Sequence, residues 1–316
     1  MILARMPRIV IPDDEPAVMS RSVAFRALAG HDVRTYPTRP SSPDELADRI
    51  REGEVVINIR SSSKFTAGVL EACPALRLIS IWGTGTDNVD LTAARRQGIR
   101  VTNTPGVSAV AVAEHTLALI MAVARRMVHV DGQVRRGLWP RAMVTQLRGK
   151  TLGLIGTGVI GREVARLGAA IGMRVIAWTF HPEGPIAEWV AFDDVFRQSD
   201  VVSVHVRLST ETQGLIRREH LELMKPEAIL INTARGGVVN ESDLVQALLA
   251  DRIAGAGLDV FESEPLPADS PLVGLSNVVL TPHSAGITPE ATEAGLALAI
   301  ENVFSFLAGR PTNIVA

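Results

Sequence analysis

Three glycines in the middle of the chain carry the most explicit chemical signal. Gly156, Gly158 and Gly161 stand as G-x-G-x-x-G within Thr151-Leu-Gly-Leu-Ile-Gly-Thr-Gly-Val-Ile-Gly161. Each spacing serves a diphosphate. Gly156 permits a tight turn, Gly158 lets backbone approach a pyrophosphate, and Gly161 lets a helix pack closely on a strand. Val159 and Ile160 open that helix, whose first N–H groups and positive dipole end suit phosphate oxygens. A glycine pattern alone is weak. Here an apolar run at 152–155 precedes it and a helical pattern at 159–171 follows, which is the strand–turn–helix setting that phosphate binding needs.

The elements that must position this turn are legible on both sides of it. Short apolar runs at 8–11, 33–36, 55–58, 78–81 and 100–103 read as strands. Helical patterns at 20–29, 42–52 and 66–72 separate them, so the first hundred or so residues read as β-α-β units on a parallel sheet. Ser42-Pro-Asp-Glu45 has the form of a capping box, and Gly30 and Gly53 suit helix ends. A long helix at 108–127 is apolar all round and therefore expected to be buried between layers or domains. The stretch 131–150 is polar and irregular. Strands then follow at 151–155, 174–179, 201–206, 229–232, 257–261 and 278–281, with helices at 191–198, 218–223 and 241–250. Six strands joined by helices and opened by a glycine turn make a complete doubly wound dinucleotide domain. A last amphipathic helix at 288–308 adds nothing to that sheet and is free to return to the first domain. Hinges are expected near 103–107 and 283–288, where Pro and Gly cluster.

Bulk properties fit this picture. A length of 316 residues suits about two domains, and 47% hydrophobic content can fill two cores. A net charge of −2 without a basic block favours neither nucleic acid nor an anionic membrane. Cys73 is the single cysteine, which excludes a disulfide framework and a cysteine metal cluster and fits a cytoplasmic setting. The first ten residues lack the apolar core of a signal peptide, and no apolar run approaches the ~18 residues of a membrane span.

Four blocks identify a family. They are Gly83-Thr-Gly-Thr-Asp-Asn-Val-Asp90 with Gly98-Ile-Arg-Val-Thr-Asn-Thr-Pro-Gly106 and Val112-Ala-Glu-His115; the glycine turn from Gly149; Met224-Lys-Pro, Asn232-Thr-Ala-Arg-Gly-Gly237 and Leu258-Asp-Val-Phe-Glu-Ser-Glu-Pro265; and Thr281-Pro-His-Ser-Ala-Gly286. Over nearly its whole length the chain resembles the D-isomer-specific 2-hydroxyacid dehydrogenases. The resemblance implies an α/β fold of two Rossmann-like, doubly wound parallel-sheet domains with an interdomain cleft. A discontinuous substrate domain, 1–102 plus 285–316, would accompany a dinucleotide-binding domain at 103–284. It also implies hydride transfer between NAD (or NADP) and a 2-oxo or D-2-hydroxy acid of glyoxylate, hydroxypyruvate or phosphohydroxypyruvate type. No resident metal is implied.

Reducing a 2-oxo acid requires a cation for the carboxylate, an acid for the carbonyl oxygen and a placed hydride donor. His283 is similar in position to the family's acid/base histidine, and imidazole near its ordinary pKa of ~6.5 can move a proton in either direction. By spacing alone Glu262 and Glu264 are both possible partners for it. The E-P pair of the family motif selects Glu264. Arg235 resembles the substrate arginine, whose planar guanidinium grips a carboxylate through two parallel bonds. Asp259, with Thr233 and Ala234 less firmly, matches positions near the nicotinamide. Arg60 and the loop Gly83, Thr84 and Gly85 match the substrate-binding loops, where backbone N–H groups can hold an anion; Trp82 and Trp139 are candidates to border the substrate.

The pattern departs from the family in two places. The acid expected ~20 residues past the glycine turn, which would bind the ribose 2′-OH, falls on Thr179. Without that acid a 2′-phosphate is not repelled, and His181 is the nearest following candidate to meet one. NAD is the expected cofactor, with NADP accommodated. Arg207 stands where many relatives have proline and reads as a solvated loop charge in preference to a contact with cofactor phosphate. A rival reading keeps the fold but uses it as a nucleotide-sensing, corepressor-like module; the presence of Arg235, Glu264 and His283 together favours an enzyme. Family analogy also implies a homodimer formed through the nucleotide domain.

Overall fold

The computed structural model describes residues 6–60, 62–141 and 143–316. The chain forms two compact units, Met1–Ser108 with Ile287–Ala316, and Ala109–Gly286.

The first unit is built on five parallel strands: β1 (Ile9–Ile11), β2 (Val33–Thr35), β3 (Val55–Asn58), β4 (Leu78–Ile81) and β5 (Arg100–Thr102), in the order β2-β1-β3-β4-β5. Side chains alternate between the two faces, as the period of a strand requires. Val10, Val56, Ile79 and Val101 join one core with the helices Pro43–Ile50 and Ala67–Glu71. Ile9, Ile11, Val55, Ile57 and Leu78 join the opposite core with Leu296, Ala299, Ile300 and Val303 of the helix Pro289–Leu307. Covered on both faces, the strands are continuous apolar runs rather than alternating ones. The chain end adds to the edge, with Val101 N donating to Ala316 O at 2.8 Å.

Local chemistry changes one expected cap and one expected helix, while Ser42 caps the helix Pro43–Ile50 as expected. Ser42 Oγ accepts from Glu45 N at 3.1 Å, but the Glu45 carboxylate returns to Ser41 N at 2.8 Å rather than to Ser42. The Ser41 hydroxyl and N–H, aided by Arg49, hold the Glu45 carboxyl down to about 2. At 20–29 only the 3-10 turn Ala24–Leu28 forms. The Asp14 carboxylate takes the N–H groups of Val18, Met19 and Ser20 at 2.8, 2.8 and 3.0 Å, and Glu293 takes those of Val23 and Ala24. The nearby Asp14 and the remote Glu293 thus take N–H groups at the start of the expected helix.

The second unit has a seven-stranded parallel sheet: β6 (Thr151–Ile155), β7 (Arg174–Trp178), β8 (Glu188–Trp189), β9 (Val201–Val204), β10 (Ile229–Asn232), β11 (Gly255–Leu258) and β12 (Val278–Leu280). Their order is β12-β11-β10-β9-β6-β7-β8. The chain leaves β6 in one direction and resumes on its other side at β9, so the crevice beyond the carboxyl ends of these two strands is the topological switch point. β8 goes beyond the six strands read from sequence. It is a two-residue edge strand whose Glu188 pairs with Arg174 at 2.6 Å, too short and polar to leave a pattern.

Three other expectations shift. The apolar helix is Ala109–Ala124, ended by Arg126 in the left-handed region at φ 50°. A second helix, Met127–Arg135, occupies part of the stretch read as irregular and carries an Arg135–Asp131 pair at 2.7 Å. β11 begins two residues early, at Gly255, because its glycines are needed for packing rather than for pleating. A Cβ on Gly255 would lie 2.4 Å from Asn277 O, and one on Gly257 would lie 3.1 Å from Leu119 of the apolar helix. Among the described residues no helix is long and apolar enough to cross a membrane.

Candidate active site

The glycine turn has the shape that its spacing demands. Gly156 follows β6 at φ 96°, in the left-handed region, and a Cβ there would lie 2.7 Å from the His205 carbonyl carbon at the end of β9. Gly158 is the N-cap of the helix Val159–Ala170 and lacks a side-chain cap, so the first N–H groups of that helix are left for a ligand. A Cβ on Gly158 would meet nothing within 4 Å, which leaves the approach to those donors open. Gly161 has the opposite surroundings: a Cβ would sit 2.2 Å from Gly156 O. The turn therefore fits a pyrophosphate, with Val159, Ile160 and Gly161 supplying the first-turn N–H groups. Burial lowers the His205 pKa to about 3, so the ring beside the turn is neutral, bonded 2.9 Å from Ser203 Oγ. Gly161→Ala is expected to cost about 1–3 kcal/mol by forcing the helix off the turn and to weaken dinucleotide binding; thermal unfolding and a titration of NADH fluorescence measure the two effects.

The carboxyl ends of β10, β11 and β12 carry the remaining groups. Arg235 lies three residues past β10, in a turn held by Asn232, whose Nδ2 donates to Arg235 O at 3.0 Å and whose Oδ1 accepts from Ala234 N at 3.0 Å. Gly236 makes the next contact possible. A Cβ there would fall 1.9 Å from the Phe261 carbonyl carbon, so only glycine brings this turn against the segment that holds Glu264. Thr233 is buried, its hydroxyl 2.9 Å from that of Thr116.

Glu264 and His283 form a direct pair, Oε2 to Nδ1 at 2.7 Å. A carboxylate only accepts, so Nδ1 is the donor and Nε2 is left for another partner. Burial raises the Glu264 pKa, but the His283 hydrogen bond and charge, the Phe261 N–H and the Arg235 charge outweigh it and hold the carboxyl below its ordinary value. Glu262, the alternative partner by spacing, is engaged elsewhere: its Oε1 accepts from Glu241 N at 3.1 Å.

Asp259 anchors the loop that presents the histidine. Its backbone carbonyl accepts from His283 N at 2.7 Å, and its carboxylate accepts from Ser284 N at 3.0 Å, Ala285 N at 2.9 Å and Thr281 Oγ1 at 2.6 Å. These bonds hold His283 at φ 52°, a conformation uncommon for a residue with a side chain. His115 extends the network from the apolar helix, its Nε2 2.9 Å from Thr281 Oγ1 and 3.6 Å from Asp259 Oδ1. Its place in Val112-Ala-Glu-His115 was the available signal for this role, but the spacing to Thr281 exists only in the fold.

The other predicted residues are placed as follows. Thr179 directly follows β7 and is half-buried. In the first unit, Arg60 donates to Pro16 O at 2.6 Å, and burial lowers its pKa against the opposing charges of Asp13 and Asp14. Gly83 N donates to the Thr104 hydroxyl at 2.7 Å, while Thr84 O accepts from Asn103 Nδ2 at 2.9 Å; Gly85 lies in the same loop. Trp82 is half-buried against Gly295, and Trp139 is exposed.

A glycine turn at a switch point, with an Arg and a His–Glu pair on neighbouring strand ends, defines a dinucleotide-dependent class of protein. Residues 117–285 match the family described as D-isomer specific 2-hydroxyacid dehydrogenase, NAD binding domain. A glyoxylate reductase of Aeropyrum pernix is 41% identical over 301 residues, covering 90% of each chain. A hydroxypyruvate reductase of Thermotoga maritima is 42% identical over 272 residues, covering 84% of this chain and 88% of the relative. The structure of an acyclic imino acid reductase in complex with NADPH and D-Arg matches with a TM-score of 0.90 at 32% identity, covering 98% of this chain and 100% of that one. The chain belongs to the D-isomer-specific 2-hydroxyacid dehydrogenase family. It is an NAD(P)-dependent oxidoreductase acting on CH–OH donors, a reading that its named relatives favour over the nucleotide-sensing module.

Proposed function

We propose that the chain reduces small 2-oxo acids of glyoxylate or hydroxypyruvate type to D-2-hydroxy acids. The observation that carries this reading is the His283–Glu264 pair at 2.7 Å, whose carboxylate also feels the Arg235 charge. Arg235 holds the substrate carboxylate and reaches its carbonyl oxygen. His283 Nε2 gives that oxygen a proton, and Glu264 orients the ring through Nδ1. The nicotinamide, when bound, supplies the hydride. Val159, Ile160 and Gly161 hold the pyrophosphate, while Thr233, Ala234 and Asp259 flank the nicotinamide. In this reading Ala109–Gly286 is the dinucleotide unit, and Arg60, Gly83, Thr84 and Gly85 are substrate-binding residues of the other unit.

Asp13 and Asp14 are both buried beside Arg60. Their charges offset that of Arg60, which favours an acid with a single anionic group over phosphohydroxypyruvate. Rates with glyoxylate, hydroxypyruvate and phosphohydroxypyruvate, with chiral analysis of the product, test this. A preference for the phosphorylated acid or an L-product would overturn it.

The nucleotide unit also pairs two copies of the chain. Met127, Val128, Val134, Leu138, Trp139 and Met143 are all exposed around the helix Met127–Arg135, an apolar patch of the kind that subunits cover. Light scattering is expected to give twice the monomer mass; a concentration-independent monomer would contradict the pairing. The buried, unpaired Cys73, its thiol pushed up to about 11 by burial, suits a cytoplasmic setting.

A further inference from the structure

The absence of an acid at Thr179 leaves open what meets the adenosine ribose, and the second unit places a cation there that the strand-end pattern does not reveal. Arg162 follows the third glycine of the turn, in the first turn of the helix Val159–Ala170. Its side chain spans the two segments that frame a ribose in this fold. Nε donates to Thr157 O in the glycine turn at 3.1 Å, and one terminal nitrogen donates to Glu183 O, in the segment after β7, at 3.3 Å. The other terminal nitrogen would lie 3.8 Å from a Cβ on Gly184. These bonds use two of the five N–H groups of a guanidinium. The Glu183 carboxylate stands 3.7 Å away, beyond hydrogen-bonding distance and 78% exposed. His181, exposed in the same segment, adds a second nitrogen base.

Resting on the dinucleotide reading of this unit, we propose that Arg162 receives the 2′-phosphate of NADP, so that the chain binds NADP(H) in preference to NAD(H). The usual partner of a ribose 2′-OH is a carboxylate, and Thr179 offers only a neutral hydroxyl. A 2′-phosphate needs donors, and Arg162 supplies them in a planar fork from a position already fixed by two backbone carbonyls. A phosphate near its second ionisation carries more charge than the Glu183 carboxylate and draws the guanidinium from it.

Calorimetric titration of the full chain with 2′,5′-ADP and with 5′-AMP tests the proposal without turnover. The wild type is expected to bind 2′,5′-ADP about tenfold or more tightly than 5′-AMP, the scale of hydrogen bonds to a charged group. Arg162→Gln should abolish that preference and leave 5′-AMP unchanged, Arg162→Lys should keep part of it, and Glu183→Gln should increase it. Equal binding of the two nucleotides by the wild type would overturn the proposal. So would an equal loss of both in Arg162→Gln, which would make Arg162 a contact to the common 5′-phosphate. Failure to bind either nucleotide, or NADH, would overturn the dinucleotide reading itself as well as this proposal.

Discussion

Replacing His283 with alanine is expected to lower kcat by about 10²–10⁴-fold, the usual contribution of a positioned general acid, while nucleotide affinity is unchanged. The imidazole is held from two sides. Glu264 fixes Nδ1 at 2.7 Å, and the Asp259 carbonyl fixes the backbone N–H at 2.7 Å. Nε2 is thereby aimed without further reorganisation, and alanine removes the proton donor but none of the glycine turn. Glu264→Gln should act differently. The ring keeps a hydrogen-bond acceptor at Nδ1 but loses the facing negative charge, so kcat/KM for reduction should fall, though less than in His283→Ala, with nucleotide affinity unchanged. The pH dependence of the pair has a definite sign. The Glu264 pKa is lowered by folding, so the pair contributes stability above the ordinary carboxylate value of 4.5 and loses it as pH falls through the lowered folded value. Acid inactivation from this source should therefore begin below the ordinary carboxylate range, and pH-jump assays of wild type and Glu264→Gln would compare it directly.

Arg235→Gln is expected to lower kcat/KM by about 10²–10³-fold, the scale of losing one partner of a desolvated charge pair. Both KM and kcat should suffer, because the guanidinium grips the carboxylate in the ground state and meets the carbonyl oxygen as charge develops on it. Arg235→Lys should recover little, since a point charge cannot reproduce the planar fork. The same variant removes a positive charge that helps to keep Glu264 ionised. Its pH profile should accordingly shift at the acid limb, which simple loss of substrate binding would not produce. Steady-state kinetics across pH separates the two effects.

The fold class was legible because parallel strands buried on both faces leave unmistakable apolar runs. β3, β4, β6 and β10 have the bounds that their Val, Ile and Leu content predicts. The failures share a physical cause. At 20–29, helix formation lost to Asp14, a few residues upstream, and to Glu293, distant in sequence, which take backbone N–H groups at its start. In β11, Gly255 and Gly257 weaken the strand signal because they make room for Asn277 and Leu119. The helix Met127–Arg135 has no buried residue to mark a face, so its periodicity is mute.

The chemistry shows the same division. The residue types of the candidate site could be named from motifs, but the choice between Glu262 and Glu264 depended on resemblance until geometry showed Glu262 bonded to the helix at Glu241. The clamp of Asp259, Thr281 and His115 joins residues up to 166 positions apart and leaves no local pattern. Arg162 stood in plain view beside the third glycine, yet only its reach to Thr157 and Glu183 gives it a role.

The central claim is that this chain reduces a 2-oxo acid through Arg235, Glu264 and His283. Loss of nicotinamide absorbance tests it most directly, followed with NADPH and NADH in parallel against glyoxylate and hydroxypyruvate, for the wild type and His283→Ala. Turnover by the wild type is expected, lowered about 10²–10⁴-fold in His283→Ala while nucleotide binding persists. Unimpaired turnover in the variant, or no turnover of either acid by a wild type that binds the nucleotide tightly, would contradict it.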